Sequence, residues 1–278
     1  MIRPRRSALY MPASNARAIE KARGLACDVV ILDLEDAVAP ERKAEARDAA
    51  VAAARAGGWG GRELVVRVNG ADTEWGADDL AALAGVPVDG VLLPKVSGPE
   101  PIARARAALG APVWAMVETC RAMLSLRDIA DARPAVLVAG TNDLAAEMRA
   151  RPCADRAAML PMLAQIVAAA RVAGADALDG VSNVVDDEHA VARECAQARE
   201  LGFDGKTLIH PSQVAPANRA FTPSSEEAGW AEKVVAAFDL PEHRSRGAIR
   251  VDGRMVERLH LEDARRVLAL VSGTDRIG

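Results

Sequence analysis

The sequence predicts a (β/α)8 TIM barrel with a C-terminal arm or lid. Three observations carry that expectation. Eight short apolar segments recur along the 278 residues, and each runs into a polar residue. Most are followed by an alanine-rich stretch of helical composition. Eight strand–helix repeats in about 250 residues is the size of one such barrel, in which the C-terminal strand ends carry the active site.

The segments, in order, are SALYM (7–11), DVVILDLED (28–36), ELVVRVN (63–69), GVLLPKV (90–96), PVWAMVET (112–119), AVLVAGTND (135–143), ALDGVSN (177–183) and GKTLIHP (205–211). Short, Val- and Ile-rich, near-continuous apolar runs suit parallel strands covered on both faces. Between them, 15–25, 40–56, 78–84, 99–109 and 122–130 carry Ala, Arg, Glu and Leu, which favour helix. A long amphipathic stretch spans 156–173, and 187–201 ends at Gly202, a C-terminal cap. Beyond the eighth strand, TPSSEE (222–227) starts a capped helix. The polar, Arg-rich segment 240–259 reads as a hairpin or an irregular excursion, and a last helix covers roughly 261–271. The expected division is a barrel core over 1–221 and a helical and hairpin extension over 222–278, placed to reach a neighbouring subunit.

Composition narrows the function. A net charge of −4 argues against a nucleic-acid binder, which presents a basic face. No apolar run reaches membrane-spanning length, and the short run before Pro12 is too short for a signal peptide. Four scattered cysteines without a CxxC pair fit neither a disulfide framework nor a zinc site. A cytoplasmic protein is the expectation.

The strand ends present Glu35, Asp36, Arg67, Lys95, Glu118, Asp143, Asp179 and His210. Glu118 and Asp143 end consecutive strands, so their carboxylates can converge at the rim. Two carboxylates completed by water and substrate oxygens are a usual way to hold Mg2+, whereas zinc would call for His or Cys. Each carboxylate could equally cap the next helix, Asp143 as an N-cap with Glu147 supporting the first turn. Glu35 and Asp36 face either the barrel mouth or its outside. Arg67 needs a buried partner or grips a substrate carboxylate bidentately. Lys95 follows the same logic or pairs structurally; a Schiff-base role is the weaker option.

Several motifs together resemble a known family. RSALYMP, DVVILDLEDAV with KAEAR, VVRVN, LLPKV, VETC, GTNDLA and GFDGKTLIHPSQ occur in this order between Arg6 and Ala269. They are similar to the citrate lyase beta subunit-like branch of the HpcH/HpaI aldolase superfamily, which includes malyl-CoA and citramalyl-CoA lyases and a malyl-CoA thioesterase. The resemblance implies a Mg2+-dependent carbon–carbon lyase that turns a short 3-hydroxyacyl-CoA into acetyl-CoA and a 2-keto acid, or the reverse. It implies Glu118 and Asp143 as metal ligands, with Glu118 beside the substrate. Arg67 would bind the keto or hydroxy acid and act in catalysis, Arg6 would hold the substrate or its CoA, and Glu35 with Asp36 would support the metal's waters.

The resemblance leaves two alternatives. One is hydrolysis by a malyl-CoA thioesterase; the other is a citrate lyase beta subunit acting on a citryl thioester carried by an acyl carrier protein. A non-catalytic binding barrel is the reading from another class. Family members are often trimers, so a homo-oligomer (trimer or hexamer) is implied. The chain departs from the family in its tail. DGRMVERL places Glu257 where the family's G-[KR]-M-[IV]-D motif has the Asp that transfers a proton across a subunit interface.

Overall fold

The computed structural model describes residues 3–151, 153 and 155–274. They form two compact units, one starting at Arg5 and ending at Phe221, the other containing the chain from Thr222. The last four positions of the expected extension lie outside the described residues.

The first unit alternates strand and helix. It runs β1 (Ser7–Pro12), α1 (Ala16–Ala22), β2 (Val29–Asp33), α2 (Lys43–Ala56), β3 (Glu63–Arg67), α3 (Gly76–Leu83), β4 (Gly90–Leu93), α4 (Pro99–Leu109) and β5 (Val113–Val117). It continues through α5 (Cys120–Leu124), α6 (Leu126–Asp131), β6 (Val136–Ala139), α7 (Thr141–Glu147), α8 (Leu160–Ala173), β7 (Asp176–Asp179), α9 (Glu188–Leu201), β8 (Gly205–Leu208) and α10 (Val214–Phe221). Each strand pairs in parallel with the next, and β1 pairs with β8 through Ser7–Lys206, Ala8–Thr207 and Leu9–Leu208, which closes the barrel.

Strand residues alternate between two cores, as the two-residue period of a strand requires. Ala8, Val29, Ile31, Val65, Leu92, Trp114, Met116, Val136, Val138 and Leu178 fill the barrel interior. Their neighbours Leu9, Val30, Leu32, Leu64, Val66, Leu137 and Leu208 pack outward under the helices. Small helix faces make that layer thin: α2 buries Ala46, Ala50, Ala53 and Ala54. At the N-terminal end, Arg5 bridges β3 and β7. Its guanidinium meets Glu63 at 2.7 and 2.8 Å and Asp176 at 2.5 Å, and it lies 5.2 Å from the Trp114 ring.

Several boundaries differ from the sequence expectation for local reasons. The helix expected over 122–130 is two helices, broken at Ser125. The helix expected from Arg156 starts at Leu160, because Arg156 has a left-handed φ of 53° that a helix cannot contain. The strand expected through Asp143 stops at Ala139, since Thr141 already opens α7. Gly202 ends α9 with a φ of 99°, a left-handed cap.

The second unit holds α11 (Ser225–Asp239), β9 (Ala248–Val251), β10 (Arg254–Glu257) and α12 (Arg258–Thr274). Ser224 and Glu227 form a reciprocal capping box at the start of α11. β9 and β10 pair antiparallel, and Val234, Phe238, Ile249, Val256 and Leu261 form this unit's own core. No described helix is long and apolar enough to cross a membrane.

Candidate active site

The interior phase of the strands selects which polar ends enter the barrel mouth. Tyr10, Asp33, Arg67 and Glu118 lie two residues beyond the interior residues Ala8, Ile31, Val65 and Met116. Tyr10, Asp33, Arg67 and Glu118, together with Asp36 and Asp143, line a cavity of about 350 Å3 at the C-terminal end of the barrel.

Arg67 is buried, and acidic groups hold its edges. Nε and Nη2 donate to the two oxygens of Asp33, each at 2.7 Å. Nη1 lies 2.8 Å from Glu35 Oε2 and 3.4 Å from Asp36 Oδ2. The guanidinium carbon lies 4.8 Å from the Tyr10 ring centroid, a cation–π contact. Burial disfavours its charge, but Asp33 and Glu35 more than offset that and hold its pKa above the ordinary value. Arg67 therefore has the buried partner its position requires, and it also borders the cavity. Asp33 accepts the N–H groups of Glu35 and Ala37 as well, so one carboxylate fixes both the loop after β2 and the arginine.

Glu35 is buried between two cations. Oε1 accepts from Lys95 Nζ at 2.8 Å, while Oε2 has the ion-pair contact to Arg67 but no hydrogen bond of good geometry. Burial pushes its pKa up, against the pull of Arg67 and Lys95. Lys43, rising from α2, donates to the carbonyl oxygens of Leu34 and Glu35 at 2.8 and 2.7 Å and pins this loop.

Glu118 follows β5 and is buried. Its Oε1 accepts the Lys95 N–H at 2.6 Å, and no side-chain cation is ion-paired to it among the described residues. Burial pushes its pKa up to about 8, and the charges of Glu35 and Asp143 add to the shift. The carboxylate packs against Gly140. A Cβ there would stand 2.2 Å from Glu118 Cβ and 2.7 Å from Oε2, so only glycine fits. Asp143 is exposed on the first turn of α7 and is not its N-cap; Gly140 holds that position. Glu147 caps a different turn, accepting the Cys120 N–H at 2.8 Å.

The donor set suits a hard divalent cation. Among the described residues Arg67 and Lys95 are the cations ion-paired to Asp33, Glu35 and Asp36, and no cation is ion-paired to Glu118 or Asp143. A buried carboxylate without a cationic partner is unfavourable until a cation arrives. Among the described residues no group of three or more His, Cys, Asp or Glu side chains is placed to hold a metal. Glu118 and Asp143 line one cavity, and one or two carboxylates with water and substrate oxygens completing the shell are a common way for proteins to hold Mg2+.

Three expected residues of the barrel unit are elsewhere. Arg6 precedes β1, at the opposite end of the barrel, where its guanidinium pairs with buried Asp28 at 2.7 and 2.8 Å; this corrects its expected place beside the substrate. Asp179 has the outward phase, one residue past interior Leu178. It is buried under α9 with Lys206 at 2.7 Å and Arg156 at 2.7 and 3.0 Å. His210 caps the turn after β8, its ring nitrogen 2.8 Å from Ser212 Oγ. The rest of that motif is also structural: Gln213 Nε2 donates to the carbonyls of Ser182 and Val184, tying the loops after β7 and β8. Glu257 ends β10 in the second unit, where its N–H donates to His260 Nδ1. The residues that sequence reasoning missed as site members are Asp33 and Tyr10. Their signal was parity, since both alternate in phase with the interior residues of their strands.

Comparisons with known proteins bear on the family and the fold. The family model described as HpcH/HpaI aldolase/citrate lyase matches residues 6–211. A (3S)-malyl-CoA thioesterase of Cereibacter sphaeroides (strain ATCC 17025 / ATH 2.4.3) is 47% identical over 269 residues, covering 96% of this chain and 94% of the relative. The mitochondrial citramalyl-CoA lyase of Rattus norvegicus is 31% identical over 293 residues, covering 97% and 86%. Among solved structures, CitE of Mycobacterium tuberculosis in complex with magnesium, acetoacetate and coenzyme A superposes with a TM-score of 0.79 at 33% identity, covering 97% of this chain and 98% of that one.

Proposed function

The chain belongs to the HpcH/HpaI aldolase/citrate lyase family, and from that premise we propose that it is a Mg2+-dependent enzyme hydrolysing the CoA thioester of a short 3-hydroxy dicarboxylic acid, with (3S)-malyl-CoA as the substrate of choice. One observation carries the choice of reaction. Identity to the thioesterase is 47% over nearly the whole chain, against 31% to the citramalyl-CoA lyase. The order of the two sequence expectations is thereby reversed: hydrolysis comes first and carbon–carbon cleavage second.

Glu118 and Asp143 would hold the cation, whose chemistry is to anchor the substrate's carboxylate and hydroxyl oxygens and polarise them. Arg67 borders the cavity and would offset the substrate's carboxylate charge. Asp33 and Tyr10 fix the plane of that guanidinium, so little orientation is lost on binding. Among the described residues the Tyr10 hydroxyl donates to the Met116 sulfur at 3.7 Å, a weak acceptor that a substrate oxygen would replace. In hydrolysis, water oxygen attacks the thioester carbonyl, the C–S bond breaks, and the thiolate of CoA takes up a proton. Asp36, an exposed carboxylate on the cavity wall, would accept the proton that the water releases.

The lyase reading rests on the 31% relative and gives Glu257 a role. In it, a homo-oligomer, trimer or hexamer, brings the Glu257 carboxylate of one subunit to the site of another to protonate the departing enolate. An acyl carrier protein belongs only to the citrate lyase reading. All four cysteines are free, as suits a reducing cytoplasm.

Release of free thiol from (3S)-malyl-CoA tests the proposal. It is expected with Mg2+, is lost on chelation and returns on adding Mg2+ back. Release that is indifferent to chelation would contradict it.

A further inference from the structure

Lys95 has a backbone φ of 49°, a left-handed conformation that lysine seldom adopts and glycine adopts freely. The conformation has two consequences. It aims the Lys95 N–H at Glu118 Oε1, 2.6 Å away, and it sends the side chain to Glu35, where Nζ stands 2.8 Å from Oε1. The backbone of a glycine would make the first contact without strain, but only a long cationic side chain makes the second. Strain held beside a functional site is a reason to look for a use of the side chain.

Lys95 does not line the cavity that Arg67, Glu118 and Asp143 share. It borders a separate one of about 290 Å3, together with Asn69, Leu93 and Arg104. The influence of its side chain on the site therefore passes through Glu35, while its N–H meets Glu118 directly. Three carboxylates stand within ion-pair distance of Arg67: Asp33, Glu35 and Asp36. Against them a single guanidinium carries no net positive charge toward the cavity. Lys95 is the second cation ion-paired to this cluster among the described residues. Nearby Lys43 is engaged by backbone carbonyls.

We propose that Lys95 is a positioning residue that holds and neutralises the Glu35 carboxylate, so that Arg67 keeps its attraction for an anionic substrate. The proposal rests on the substrate reading above. Lys95 lies outside the lining of the cavity that would take substrate and cation. Its backbone steadies the cation-binding carboxylate, and its side chain tunes the arginine.

Backbone and side chain are separable by mutation. Lys95→Met keeps the N–H to Glu118 and removes the charge; Lys95→Arg keeps both. Calorimetric titration of the full chain measures Mg2+ alone, then (S)-malate with Mg2+ saturating. In Lys95→Met, malate binding is expected to weaken about tenfold, the effect of one partly screened charge, with Mg2+ affinity nearly unchanged. Lys95→Arg recovers most of the malate affinity. Retained Mg2+ binding also shows that the variant is folded. Unchanged malate binding in Lys95→Met would overturn the proposal, as would Mg2+ and malate affinities that fall together. A wild-type chain that binds Mg2+ but no malate would instead overturn the substrate reading, and this proposal with it.

Discussion

Asp33 and Arg67 stand opposite each other on the last rungs of β2 and β3 and share two hydrogen bonds of 2.7 Å. The pair spans two adjacent strands inside the barrel mouth, so the orientation of the arginine is set by the sheet register itself. One carboxylate occupies Nε and Nη2, which leaves Nη1 as the nitrogen directed toward Glu35 and Asp36.

Removing that carboxylate leaves a buried guanidinium with a broken partner set. Asp33→Ala is expected to destabilise the chain by roughly 3 kcal/mol or more, because breaking a buried pair strands one charge. Asp33→Asn, which keeps the shape, is expected to cost less. Denaturant unfolding followed by tryptophan fluorescence measures both. Equal, negligible changes would mean that the pair does not order the arginine.

Gly140 has no room for a methyl group beside Glu118. Gly140→Ala is expected to push the carboxylate from its place and weaken Mg2+ binding by about a hundredfold, the scale of an ångström-sized misplacement. The added Cβ would also stand 3.2 Å from the Glu118 Cα, so the backbone after β5 has to shift with the carboxylate, and a thermal melt of the variant checks that the fold persists. Titration calorimetry decides the point, and wild-type affinity in this variant would remove Glu118 from the cation site.

Glu118 sets a pH signature. Its folded pKa of about 8 lies above the ordinary carboxylate value of 4.5. Between these values the folded state holds a proton that the unfolded state does not, so metal-free stability falls as pH rises from about 5 to 8. The full effect is on the order of a few kcal/mol. Saturating Mg2+, which selects the ionised carboxylate, should flatten this slope, and Glu118→Gln should abolish the carboxylate's contribution with or without Mg2+. Melting temperatures across pH 5–8 provide the readout. A wild-type slope that Glu118→Gln leaves intact would assign it to other groups.

Arg6 separates stability from function. Its partner Asp28 is fully buried at the N-terminal end of the barrel. Arg6→Ala is expected to lower stability by about 3 kcal/mol while leaving the KM for (3S)-malyl-CoA unchanged below the melting transition. A raised KM with no loss of stability would restore Arg6 to the substrate site.

The barrel was legible because its signal is repeated eight times: a short Val-rich run, a polar end, an alanine-rich helix. The site was legible in its chemistry and less so in its geometry. Glu118, Asp143, Arg67 and Asp36 border one cavity as the strand-end argument implies, and Glu35 joins them through Arg67. Asp179 does not, because a single residue of phase turns it outward to Lys206. Arg6 was expected at the site from the resemblance alone; it precedes β1, which in a parallel barrel places it at the N-terminal rim. Asp33 and Tyr10 went unassigned because interior phase needs the exact strand register, which apolar content alone leaves undetermined. The left-handed backbone at Lys95 has no sequence mark, since lysine does not advertise a positive φ as glycine does.

The fate of the carbon skeleton of (3S)-malyl-CoA separates hydrolysis from carbon–carbon cleavage. Purified chain with Mg2+ and isotopically labelled substrate is followed by product analysis, without an acyl carrier protein present. Labelled malate and free CoA are expected in equal amounts, with no glyoxylate, and both products are lost in Glu118→Gln. Glyoxylate and acetyl-CoA in equal amounts would contradict hydrolysis and make the chain a lyase.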